Sequence, residues 1–146
     1  MKIITQRKWS SAYKNDDFIC IVIQSGYRSS AIEANEVYRL LSIDVDNEIL
    51  GSTINECLSR SRFLSLEEIP DFFDLLRVER DYALWVGDLI NRYKYKTKRA
   101  LFKNMLSCNM VISDGSLRIE PTIHEKLEGW SGQGKEQATA NFSYGF

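Results

Sequence analysis

His124, the single histidine of this chain, is the residue best suited to proton transfer. Its imidazole could act as a general base, with Glu125 or Glu128 to orient it. Neighbouring residues on a strand point to opposite faces, however, so Glu125 is poorly placed for that task. One histidine excludes ribonucleases that use two, and the chain offers few further residues for a zinc site. The sequence therefore favours a structural histidine, with an RNA-cleaving enzyme and a metal site as alternatives.

A glycine-rich segment from Gly129 to Gly134 could form a phosphate-binding loop. It lacks the strand–loop–helix context and the Lys-Ser/Thr ending of a P-loop. The segment is predicted to be a loop in which Gly132 and Gly134 make turns, with Trp130 packed beside them. We expect no cofactor and no metal.

Cys20, Cys57 and Cys108 each lie among apolar residues and form no C-x-x-C pair. This pattern is typical of reduced, buried thiols in a cytosolic protein. The N-terminus lacks the apolar run of a signal peptide, and no stretch reaches the ~18 apolar residues of a membrane span. The sequence thus predicts a cytoplasmic protein without a membrane partner.

The formal net charge of −1 is the sum of segments with opposite sign. Residues 44–91 hold eleven acidic residues and four arginines, a balance of −7, while residues 92–103 hold six cations and no acid. The near-neutral total excludes a generic nucleic-acid binder, which needs a large surplus of cations. The acidic segment predicts a surface that suits a basic partner. Candidate contact residues on it are Glu67, Glu68, Asp71, Glu79 and Asp81.

The basic stretch 92–103 supports a second hypothesis. Tyr93, Tyr95 and Phe102 alternate with its cations, as on surfaces that bind single-stranded nucleic acid. The first of these cations also suit a helix C-terminus, where the helix dipole favours positive charge. One short patch supplies few phosphate contacts, so an RNA-binding regulator is the alternative function rather than the leading one.

We expect these residues to be positioned by one α+β domain, residues 1–146. In it, a mainly antiparallel sheet packs against about four helices. The apolar run 18–23 predicts a strand covered on both faces and paired with residues 9–13. The sequence leaves the structure of residues 25–43 open, although Ser25-Gly26 and Ser29-Ser30 indicate a surface loop. Alternating aromatic residues within 139–146 predict an edge strand.

The helices are expected at about 47–61, from Ser65, at 75–93 and at 98–106. Their expected start signals are the N-caps Asp46, Asp74 and Thr97 and the capping box Ser65–Glu68. Pro70 lies too deep for one continuous helix from Ser65, so that element should kink or restart there. A hairpin should follow, with its turn at 113–116.

Three stretches carry a family resemblance: Ser59–Leu64, Tyr95–Met105 and Pro121–Gly132. In this order they resemble the CdiI-type immunity proteins of bacterial contact-dependent growth inhibition. The block Tyr-Lys-Thr-Lys-Arg-Ala-Leu-Phe is the most specific part, and the resemblance extends from about Ile49 to Gly134.

The resemblance implies a cytosolic inhibitor that binds the toxic C-terminal domain of a CdiA-type effector, commonly a cationic nuclease, and neutralises it. It implies no catalytic residue and no cofactor. It also implies that the residues of the shared blocks determine the fold, among them Lys98, Arg99, Phe102, His124 and Trp130. The acidic candidates would then pair with toxin cations that otherwise hold nucleic acid. The sequence leaves the oligomeric state open.

Overall fold

The first two strands form an antiparallel hairpin at the centre of the sheet. The computed structural model describes residues 5–132 and places β1 at Arg7–Lys14 and β2 at Ile19–Gly26. Asn15 closes the turn, because its side-chain oxygen accepts a hydrogen bond from the backbone N–H of Phe18 at 3.1 Å. The predicted strand and its pairing are confirmed, and β2 is buried on both faces.

Two short strands lie within residues 25–43. β3 (Ser30–Ile32) and β4 (Arg39–Leu41) both pair antiparallel with β2, at its two ends. The loop signal of residues 25–30 therefore describes only the short connection between β2 and β3, and the part of 25–43 that the sequence left open contains both strands. Three-residue strands are too short to show an alternating pattern, and their structure depends on the open edge of β2.

Within the described residues, four helices follow β4: α1 (Asn47–Ser59), α2 (Ile69–Phe72), α3 (Leu75–Tyr93) and α4 (Lys98–Phe102). The N-caps are confirmed, since the side chains of Asp46, Asp74 and Thr97 each accept a hydrogen bond from a backbone N–H three residues ahead. Helix α4 ends earlier than predicted because Lys103 is extended and Asn104 has a positive φ of 61°.

The short helix predicted to open at Ser65 starts later than predicted, after a turn over residues 66–68. Glu68 accepts a hydrogen bond from the backbone N–H of Ser65 at 3.0 Å, so the capping interaction forms. The helix itself begins only at Ile69, with Pro70 in its first turn. Proline has no N–H to donate and is tolerated at that position.

The second half of the sheet is a meander of β5 (Leu106–Ser113), β6 (Ser116–Lys126) and β7 (Gly129–Gly132). The predicted hairpin is confirmed: its central residues Asp114 and Gly115 both have positive φ, as a tight two-residue turn requires. The loop predicted at 129–134 is wrong for residues 129–132, which are held in an extended conformation as β7 by pairing with β6. Gly134 and the edge strand predicted within 139–146 lie outside the described residues.

The seven strands form one antiparallel sheet in the order β3-β2-β1-β5-β6-β7, with β4 also on β2. Helix α1 packs on one face, where Ile54 and Leu58 meet Ile21 and Ile23. Helices α3 and α4 pack on the other face, where the buried side chains are Trp85, Leu89, Phe102, Phe18, Cys20 and Val22. The predicted α+β class, with a mainly antiparallel sheet and four helices, is confirmed.

Candidate functional site

The five acidic candidates lie on the turn before α2, on α2 and on the first half of α3, and they differ in availability. Glu67, Asp71 and Glu79 are exposed and have no ion-pair partner within residues 5–132. Glu68 and Asp81 are engaged by arginines of the same chain. The first three are therefore free to meet a partner, and the other two hold local structure.

Glu68 belongs to a network centred on Arg62. The Arg62 guanidinium lies 2.7 Å from the carboxylate of Glu68 and also bonds the buried carboxylate of Glu33. Glu33 accepts a further hydrogen bond from the hydroxyl of Ser25 at 3.0 Å. The N–H and hydroxyl of Ser65, together with Arg62, hold the pKa of Glu68 below its usual range. This network fastens the chain entering α2 to β2.

Asp81 belongs to a second anchor, centred on Arg77. Its carboxylate lies 3.2 Å from the Arg77 guanidinium, and both side chains are largely buried. Arg77 also donates to the backbone carbonyl of Ile32 at 2.7 Å and lies 4.3 Å above the ring of Phe72. These contacts attach the start of α3 to β3 and α2.

Several leucines beside the free acids are exposed instead of buried. Leu66, Leu75 and Leu76 are 66–75% exposed, and Glu79 lies one helical turn beyond the last two. We call Leu66, Glu67, Asp71, Leu76 and Glu79 the acidic corner. Acids and large apolar side chains interleaved in this way suit a partner that presents both cations and apolar groups.

A groove of about 420 Å³ runs between α3 and the connection from β3 to β4. Val37 and Leu84 line it and are 71% and 65% exposed. The four acids in its lining are each paired with an arginine: Glu33 with Arg62, Glu36 with Arg60, Asp81 with Arg77 and Asp88 with Arg92. The groove therefore offers a partner mainly apolar surface.

The aromatic residues of the basic stretch are built into the protein. Phe102 is fully buried, Tyr93 stacks on Phe18 at 4.7 Å between ring centroids, and the hydroxyl of Tyr95 accepts from Asn15 at 2.9 Å. These rings are occupied by intramolecular contacts and do not form an exposed platform for nucleobases.

The cations of the same stretch are partly paired. Arg92 bonds Asp88, and Lys98 lies 3.7 Å from Glu128, whereas Arg99 is exposed. What remains is a cluster of exposed charges without stacking groups, which weakens the RNA-binding alternative.

His124 stacks flat on the indole of Trp130, with ring centroids 4.8 Å apart and planes within 15°. Its Nε2 lies 2.8 Å from the carbonyl oxygen of Leu127. A carbonyl can only accept, so Nε2 carries the proton and donates it to the turn between β6 and β7. Trp130 in turn donates from Nε1 to the carbonyl of Met105 at 3.1 Å. In this arrangement His124 closes a turn and Glu125 does not orient it.

The three thiols are free and buried. Burial raises the pKa of Cys20 and of Cys108 to about 12 and that of Cys57 to about 11. At neutral pH all three are protonated and unsuited to nucleophilic attack.

Residues 5–132 hold no cluster of three or more His, Cys, Asp or Glu side chains that could bind a metal ion. No helix in the same range has the length and apolar character needed to span a membrane.

The comparison with protein families gives one decisive match. The CdiI family, described as CDI immunity protein, matches residues 8–144. This chain belongs to the CdiI family. A curated member, the immunity protein CdiI-YPIII of Yersinia pseudotuberculosis serotype O:3 (strain YPIII), is 39% identical over 146 residues, which cover 92% of this chain and 82% of that protein.

Solved structures share the CdiI fold described above. One is a toxin and immunity complex, CdiA-CT/CdiI, from Yersinia pseudotuberculosis, with 40% identity, a TM-score of 0.84 and coverage of 90% of this chain and 83% of that one. Another is a protein of unknown function from Neisseria meningitidis, with 34% identity, a TM-score of 0.85 and coverage of 92% and 84%.

Sequence reasoning about this CdiI chain missed two sets of residues. One is the pair Glu33 and Arg62, which lie 29 positions apart and are joined only by the fold. The other is the group of exposed leucines Leu66, Leu75 and Leu76, the last two of which lie at the start of the helix predicted at 75–93. The crowding of acids around these leucines is the one signal that could have indicated an exposed surface.

Proposed function

We propose that this protein is the immunity partner of a CdiA-type effector, whose C-terminal toxin domain it binds and neutralises in the cytoplasm. The observation that carries the proposal is the likeness, at 40% identity and a TM-score of 0.84, to the toxin and immunity complex of Yersinia pseudotuberculosis. The likeness covers 90% of this chain, so the surfaces that this protein offers a partner lie on a shared framework.

The acidic corner is the surface we assign to the toxin domain. Glu67, Asp71 and Glu79 would pair with cations through which a nuclease holds its substrate, and the toxin would lose access to nucleic acid. Leu66 and Leu76 would supply the apolar area that becomes desolvated and slows dissociation. Glu68 and Asp81 act indirectly, because they position this surface through Arg62 and Arg77.

The chemistry of the chain supports inhibition by binding over catalysis. Within residues 5–132, the Nε2 proton of His124 is engaged by a carbonyl, and the buried thiols are protonated. Neither arrangement pairs a nucleophile with a base.

Co-expression with the effector domain encoded next to this protein tests the function. We expect cells that carry both to survive and the two proteins to co-purify. Cell death despite soluble expression, with no complex recovered, would refute the proposal.

Charge reversal tests the surface. The triple variant Glu67→Lys, Asp71→Lys and Glu79→Lys should raise the Kd for the toxin domain at least tenfold. The exposed acids Asp16 and Glu125 provide a control outside the corner, and their replacement by Lys should change the Kd less than twofold. If both sets of replacements raise the Kd equally, the toxin domain does not bind at the acidic corner.

A further inference from the structure

A cavity of about 430 Å³ opens over the central strands of the sheet, and three arginines from separate segments line it. Arg7 comes from β1, Arg28 from the turn between β2 and β3, and Arg118 from β6. We call this cavity, with Gln24 and Asn109 on its floor, the arginine basin.

The floor of the arginine basin presents hydrogen-bond donors. The hydroxyl of Ser11 donates to Oδ1 of Asn109 at 2.8 Å, and that of Ser30 donates to Oε1 of Gln24 at 2.8 Å. Both amide oxygens are thereby satisfied from within the protein. The two amide NH₂ groups have no partner among the described residues, so they are available to a ligand.

The arginine basin also carries an excess of positive charge. Glu120 is its only acid among the lining residues, and its carboxylate accepts from Nε of Arg118 at 3.1 Å. Arg7 and Arg28 have no ion pair within the part of the chain that the structure describes. Two unpaired guanidinium groups and two amide NH₂ groups therefore converge on a space that suits an anionic, acceptor-rich group.

We propose that the arginine basin receives a carboxylate-bearing segment of the toxin domain, an inference that rests on the proposed function. A guanidinium matches a carboxylate in a two-point geometry, and the apolar residues Trp9 and Val111 in the lining suit the stem of an Asp or Glu side chain. Contacts of both signs, acidic corner and arginine basin, would fix the orientation of the toxin.

Nucleic acid fits the basin less well than an acidic segment of protein. A long polyanion would extend beyond the basin over the rest of the protein, whose formal charge is −1 overall and −7 over residues 44–91. A local carboxylate needs only the basin itself, so the charge distribution favours a short anionic group on a folded partner.

The first test removes charge from the basin without reversing it. The double variant Arg7→Gln and Arg28→Gln should bind the toxin domain with a Kd raised at least tenfold in calorimetric titration. The control Arg99→Gln and Lys103→Gln removes the same charge from exposed sites outside the basin and should change the Kd less than twofold. Wild-type binding with an unchanged Kd for the basin variant overturns the inference and leaves the proposed function standing.

The second test uses the wild-type chain and does not depend on the folding of a variant. In ¹⁵N-labelled protein, the side-chain NH₂ signals of Gln24 and Asn109 should shift when unlabelled toxin domain is added. They can be assigned from the signals lost in Gln24→Met and Asn109→Ser. If a single-stranded RNA oligonucleotide shifts them and the toxin domain does not, the basin is a nucleic-acid site and the inference is wrong. Absence of any toxin binding by the wild-type chain would refute the proposed function and, with it, this inference.

Discussion

Arg62 neutralises Glu33, the one buried carboxylate among residues 5–132, across 29 positions of sequence. The side chain of Glu33 is 2% exposed, whereas that of Arg62 is 45% exposed and reaches onward to Glu68. A carboxylate at this depth is stable only with a partner, because removing a charge from water costs several kcal/mol. The Arg62 side chain thus adds an ionic anchor to the backbone hydrogen bonds by which Arg62 and Leu64 hold this segment to Gly26 of β2.

Replacing Arg62 by Met should therefore destabilise the protein more than is usual at a half-exposed position. We expect a loss of about 2–3 kcal/mol in the free energy of unfolding, measured with urea, because Glu33 is left buried without its cation. Arg60→Met is the matched control: its ion pairs with Glu36 and Glu56 are exposed and longer, at 3.4 and 3.8 Å. Its loss should stay below about 1 kcal/mol, and equal losses would contradict this account.

The two glycines Gly87 and Gly26 should respond to alanine in opposite ways. Gly87 is exposed within α3, and a Cβ there would have no neighbour within 4 Å. Gly87→Ala should stabilise the protein by about 0.5–1 kcal/mol through helix propensity. At Gly26 a Cβ would lie 1.8 Å from the carbonyl oxygen of Ser29, so Gly26→Ala should lower the melting temperature. A fall in melting temperature for Gly87→Ala would show that its backbone is constrained.

All three thiols should be unreactive in the native protein. Burial raises the pKa of Cys20, Cys57 and Cys108 to about 11 or 12, so almost no thiolate exists at pH 8. Ellman's reagent should react with three thiols in urea and with none on the same time scale in buffer. Rapid reaction of one thiol in buffer would show local opening around it.

Glu68 should stabilise the protein in a pH-dependent manner. Its pKa is depressed in the folded state, chiefly by the N–H of Ser65, so its contribution is complete above the ordinary Glu pKa of about 4.3. That contribution is lost as the pH falls through the lower folded value. The stability difference between wild type and Glu68→Ala should accordingly shrink from pH 7 toward pH 3.

Glu68→Gln provides the control for this titration. Gln keeps an acceptor for the Ser65 N–H but cannot ionise, so its stability difference from Glu68→Ala should not change with pH. A constant difference between wild type and the alanine variant over the same range would contradict a role for the charge.

Features coded by neighbouring residues could be predicted from the sequence. The caps Asp46, Asp74 and Thr97 act on backbone groups three residues away, and the periodicity of Leu75–Tyr93 marks the limits of α3. β3 and β7 carry no comparable local code, because each forms only when its partner strand supplies the hydrogen bonds.

The candidate site shows the same limit. Counting acids identified the segment, but the availability of Glu67 and the engagement of Glu68 depend on where Arg62 lies. The arginine basin could not be read from sequence at all, since Arg7, Arg28 and Arg118 are brought together by the pairing of β1 with β2 and β5 and of β5 with β6.

The pairing of β1 with β5 joins the two halves of the sheet, and it has a consequence for folding kinetics. β1 bonds β5 along its whole length, from Arg7↔Ser113 to Lys14↔Leu106, and the four helices of residues 5–132 all lie in the chain between them. The edge of β1 that pairs with β5 therefore keeps its hydrogen-bonding groups unpaired until more than a hundred residues have left the ribosome. Closing so long a loop delays the cooperative step, so a newly made molecule can complete its sheet only after β5 has left the ribosome.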